Sequence, residues 1–385
     1  MSLLITEFVK TLRGVKNVDR HCRRIEEWAA AGEAGTLYQA ALALEAERTK
    51  DGIEGWAADS VQDRILRTLA LTPHREFVVA ALRLCSAGQQ QHGRFTAQLL
   101  ASGQALDTLF ALFEHAGDEE AAHQETLACV LQEIVLRGTH APENFPAVVR
   151  HFHERLHGQN HPLGWLPLSL APPEVNLRAC LRTYQLNGSS CSLPFGPEAA
   201  AQSDQPFESA AVPSRRIVEE TTNPAWANQV GVAVANWEQE SNGKTEARAF
   251  TVKSALSAND VLGPFLLSLD LTCLAGVRPD DVHLRVATPA EALEVLFSAS
   301  ANGGAYNSGR YGAYGRLEAW QSLAGLAGAA IGETFDAVSS RVESCAWWRF
   351  EANADWFYQI AWDLGLVALS PSGHAIHVLA ATDTD

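Results

Sequence analysis

By residue type and spacing, the strongest candidate for chemistry is the run His153-Glu154-Arg155-Leu156-His157. It reads H-E-x-x-H. On a helix the side chains at i and i+4 share one face, so His153 and His157 could hold Zn²⁺ while Glu154 activates a metal-bound water. That reading makes the chain a zinc-dependent hydrolase with zinc as its one cofactor. The surrounding letters fit it poorly. The longer form of the motif places a third histidine at position 163, where Leu163 stands, and Arg155 occupies a position that is usually apolar in such helices. The chain has 13 histidines, so the same letters also describe a solvated helix whose charges pair locally.

The second candidate is the stretch Asn302 to Trp320, reading N-G-G-A-Y-N-S-G-R-Y-G-A-Y-G-R-L-E-A-W. Three of the six tyrosines fall here, interleaved with five glycines and two arginines. Glycine lets a ligand or another chain approach the backbone, and tyrosine combines an apolar face with a polar tip. Asn302, Tyr306, Arg310, Tyr311, Tyr314 and Arg316 are the candidate binding residues. A helix start beside two arginines could hold a phosphate or carboxylate. The G-K-[S/T] ending of a P-loop is absent, and so is the strand-turn-helix context of a dinucleotide site. The competing reading is a tightly packed loop in which the glycines solve a steric problem.

Five of the ten tryptophans lie between Trp320 and Trp362. They could line a pocket but also suit the core of a small domain. Asp355 and Asp363 flank these aromatics. A desolvated carboxylate there could do acid/base work, or it could cap a turn and pair with Arg349. The ending Ala380-Ala381-Thr382-Asp383-Thr384-Asp385 offers two acidic residues as a cation site or as a frayed acidic tail. G-x-S-x-G is absent.

Composition narrows the functions. A net charge of -16 argues against nucleic-acid binding, which needs a basic face, and against docking on anionic membranes. The N-terminal apolar run is short and broken by Glu7 and Lys10, unlike a secretory signal, and no window suggests a membrane span. The seven cysteines are scattered without a C-x-x-C pair, so they read as reduced, buried side chains in a cytoplasmic protein.

Apolar periodicity over residues 1–160 predicts a succession of helices, among them Val18–Ala31, Leu37–Ala46, Val61–Leu71, Phe77–Cys85 and Ala121–Leu136, punctuated by glycine and proline. This is an all-α domain, either a helical-repeat layer or an irregular bundle. Residues 161–205 are rich in Pro, Ser and Gly and read as a linker. Residues 206–385 mix periodicities and read as an α+β domain with an aromatic-rich core. Within it, Phe207–Val212, Ala247–Val252, His283–Ala287, Cys345–Phe350, Leu364–Leu369 and Ala375–Ala381 are expected strands. Ser257 is expected to open a helix reaching Cys273, and Thr288-Pro289-Ala290-Glu291 a second helix. A third should run from about Gly315 to Ala330, while Asp355–Asp363 fits helix or strand.

The segments G-G-A-Y-N-S-G-R-Y-G-A-Y-G-R-L-E-A-W-Q-S-L at 303–323, W-D-L-G-L-V-A-L at 362–369, H-P-L-G-W-L-P-L at 161–168 and the ending A-A-T-D-T-D resemble those of an uncharacterised bacterial protein family of unknown function. That resemblance implies no activity. The residues themselves favour a non-catalytic binding protein whose partner is another protein or a small anionic ligand. An acidic inhibitor or immunity-type protein masking a basic partner is the further alternative.

Overall fold

The computed structural model describes residues 3–48, 53, 55–85, 90–115, 121–138, 144–195, 217–358 and 362–384. The chain divides into two compact units. One takes residues 1–164 and 182–190; the other takes 165–181 and 191–385.

The first unit is a helical array. Its helices are α1 (Leu3–Lys10), α2 (Asp19–Ala30), α3 (Ala34–Arg48), α4 (Gly55–Leu71), α5 (Arg75–Cys85), α6 (Gln90–Gly103), α7 (Leu106–Phe110), α8 (Ala121–Leu136) and α9 (Ala147–Gly158). Their apolar stripes carry the core, with Ile25, Leu37, Val61, Ile65, Val78 and Leu100 fully buried. Gly32 and Gly138 take positive φ just past α2 and α8, the conformation that ends a helix most cheaply. From α2 to α6 each helix packs on its sequence neighbour. Alternate helices also meet: α1 on α3, α2 on α4, α3 on α5, α4 on α6 and α6 on α8. That is the stacking of a two-layer helical array. A hairpin, β1 (Thr183–Gln185) and β2 (Gly188–Ser190), joins this unit. Arg67 lies over the rings of Phe95 and Tyr184 and donates to the Gly188 carbonyl, which pins the hairpin to α4 and α6.

The second unit is α+β. It contains α10 (Leu177–Cys180), α11 (Pro224–Gly231), α12 (Ala235–Glu240), α13 (Gly263–Leu267), α14 (Pro289–Asn302), α15 (Tyr311–Leu326) and α16 (Phe335–Ser344). Its strands are β3 (Val218–Glu220), β4 (Lys244–Val252), β5 (Val282–Ala287), β6 (Ala346–Ala352), β7 (Trp362–Leu369) and β8 (Ala375–Asp383). They form an antiparallel sheet of order β3-β4-β8-β7-β6-β5. Alternation along the strands gives the sheet two faces. Phe250, Trp348, Phe350, Val367 and Val378 line one face and pack on Leu256, Val261, Phe265 and Leu274. The helices α14 and α15 contact strands of this sheet as well as each other. Thr288 caps α14: its hydroxyl accepts from the Glu291 amide, and the Glu291 carboxylate accepts from the Thr288 amide at 2.7 Å.

Several expectations change in detail. No helix runs from Ser257 to Cys273. Ser257 and Asp260 do pair, but around one 3-10 turn. The five-residue α13 then starts at Gly263 with Pro264 in its first turn, and Asp270 at φ 53 breaks the chain again. Helix α15 begins at Tyr311, four residues before Gly315. Residues 353–357 form turns, and a strand resumes at Trp362. The segment expected as a linker is largely structured up to residue 195, and Phe207–Val212 lies outside the described residues.

Candidate functional site

The chain between α14 and α15 is a loop held from three sides. Gly303 and Gly309 both take positive φ, which admits glycine readily and other residues at a cost. A Cβ on Gly309 would sit 2.6 Å from the Ala301 carbonyl oxygen. Asn307 ties the loop to itself and to α12. Its Oδ1 accepts from the Gly309 amide and from Asn236 Nδ2, both at 3.0 Å, and its Nδ2 donates to the Asn236 carbonyl. Asp383 at the end of β8 supplies the third side. Its carboxylate accepts from the Ala305 amide at 2.8 Å and from Ser241 Oγ at 2.8 Å. Both Asp383 and Asn236 are buried, where charge-assisted and amide hydrogen bonds count most. A Cβ on Gly304 would run into that carboxylate.

The six candidate binding residues divide into two groups. Tyr306, within the loop, is 63 % exposed. Arg310, Tyr311 and Tyr314 are half-buried, and Arg310 pairs with Glu240 of α12 at 3.3 Å. Tyr311 opens α15 at φ 62, a left-handed conformation that costs a bulky residue energy and fixes its direction. Asn302 and Arg316 are buried instead. Asn302 Nδ2 donates to the Cys180 carbonyl at 3.0 Å. The Arg316 guanidinium donates to Glu174 at 2.5 and 2.8 Å and to the Pro167 and Ser169 carbonyls; Trp320 Nε1 donates to the same glutamate. The ion pair Arg316–Glu174 is wholly out of solvent. The spacing of Gly315 is also explained by packing, since a Cβ there would meet that of Ala301 at 2.5 Å where α15 crosses α14.

The residues of the H-E-x-x-H run lie on α9. The buried stripe of that helix is Val149, Phe152 and Leu156. Glu154 is 74 % exposed and lies 3.7 Å from His151, while His157 Nδ1 is 3.2 Å from the Gly164 carbonyl. His161 pairs with Glu125 of α8 at 2.9 Å. Among the described residues no group of three His, Cys, Asp or Glu side chains is arranged to hold a metal ion.

Of the carboxylates flagged near the aromatics, Asp355 is exposed in a turn. Asp363 accepts from Thr382 Oγ1 at 2.6 Å, and the β6–β7 register puts it on the opposite face of the sheet from Arg349. Arg349 donates to the Pro194 carbonyl. On β6 it is Glu351 whose carboxyl burial pushes up. Asp385 lies outside the described residues.

Glu174, Asn236 and Asn307 organise this region, and sequence reasoning did not single them out. Glu174 left a faint trace, as a lone acid after Pro172-Pro173 in an apolar stretch. Asn236 left none, because its partner lies 71 residues away.

The chain belongs to a family of unknown function (DUF6183), whose model matches residues 19–385. The match takes in most of the helical array as well as the segments that carry the resemblance. No curated protein and no solved structure matches the chain.

Proposed function

We propose that this member of the DUF6183 family is a binding protein that engages a protein partner through the loop 303–310 and the first turn of α15. The observation that carries the reading is Tyr306, a large side chain left 63 % exposed on a loop whose backbone is fixed by Asp383 and Asn307. An aromatic anchor on a preorganised backbone loses little entropy on binding, and Tyr and Arg dominate binding hot spots. Arg310, Tyr311 and Tyr314 follow Tyr306 in the chain, are half-buried, and would add to the contact. A protein partner suits the site better than a small anion, because Glu240 already neutralises Arg310 and Glu174 neutralises Arg316. Nucleic acid is disfavoured by the net charge of -16. The same charge and the unpaired cysteines favour a role in the bacterial cytoplasm.

The test compares Tyr306→Ala with Trp56→Ala, which removes an exposed aromatic from the helical array. Both proteins are immobilised and the partners retained from a bacterial extract are quantified. The reading expects one partner whose affinity falls by about 30-fold or more with Tyr306→Ala alone, at unchanged thermal stability. Equal retention by both variants would sink it.

A further inference from the structure

We draw no further inference here: the strongest candidate, the side-chain cluster of Arg285, Arg349 and Glu351 on one face of β5 and β6, carries nothing because the buried Arg349 already sits among the carboxylates of Glu291, Glu294 and Glu351 and donates to the Pro194 carbonyl, which leaves nothing in the structure to point to a ligand.

Discussion

Helix α9 and the loop 303–310 hold their polar residues in opposite ways. On α9, Glu154 projects into solvent beside His151, three residues away on the same helix. In the loop, Asn307 and Asp383 each gather hydrogen bonds from more than one element, and the acceptors are buried or half-buried. The difference lies in where the supporting partners come from. Helical spacing alone sets two side chains on one face. Fixing their geometry takes partners contributed by other parts of the chain.

The largest effect is expected beneath the loop. Glu174→Gln leaves Arg316 buried without its counter-charge, and removing one partner of such a pair costs about 3–5 kcal/mol. Chemical denaturation should show a loss of that size in the second unit. A loss near zero would mean that Arg316 finds other acceptors and that the pair does not organise the start of α15.

Two glycines, one in each region, should respond differently to an added methyl. Gly304→Ala drives a methyl into the Asp383 carboxylate and to 3.0 Å from the Trp237 ring, a clash of the kind that costs about 1–3 kcal/mol. Gly158→Ala at the end of α9 meets nothing within 4 Å and should be neutral or stabilising by at most about 1 kcal/mol. Equal effects in unfolding experiments would erase the distinction between the two regions.

A pH titration reaches the packing around α15. His377 Nδ1 contacts the Leu326 carbonyl at 2.6 Å, and burial pulls the imidazole below its ordinary value of 6.5. The unfolded chain therefore takes up the proton first as pH falls. Stability attributable to His377 is complete above pH 6.5 and is lost as pH drops from there toward the depressed folded value. The unfolding free energy of His377→Gln should be flatter than that of wild type between about pH 5 and 7. Parallel curves would contradict the burial. The smallest effect is expected from Glu154→Gln, which should leave the unfolding midpoint unchanged because its one ion pair is exposed.

The elements that were legible in the sequence are those specified locally. Apolar periodicity marks α2 to α5 and α8, and the Thr288–Glu291 reciprocal cap marks the start of α14 within one residue. The expected helix over 257–273 failed because Pro264 and Asp270 cut it into turns whose apolar side chains still face the sheet. Within the stretch 302–320, spacing could not sort exposed side chains from buried ones. Tyr306 and Arg316 are equally prominent as letters. Only the distant Glu174 makes one of them core, and only the absence of a covering side chain among the described residues leaves the other exposed. The three-residue glycine spacing carries a packing message at Gly315, where α14 and α15 touch.

Amide hydrogen exchange reports directly on whether 303–310 is preorganised. The Ala305 and Gly309 amides donate to Asp383 and Asn307. They should exchange far more slowly than an unfolded chain, and Asp383→Ala should abolish the protection at Ala305 while α9 exchanges as before. Exchange of both amides at the unfolded-chain rate in the wild-type protein would contradict the account.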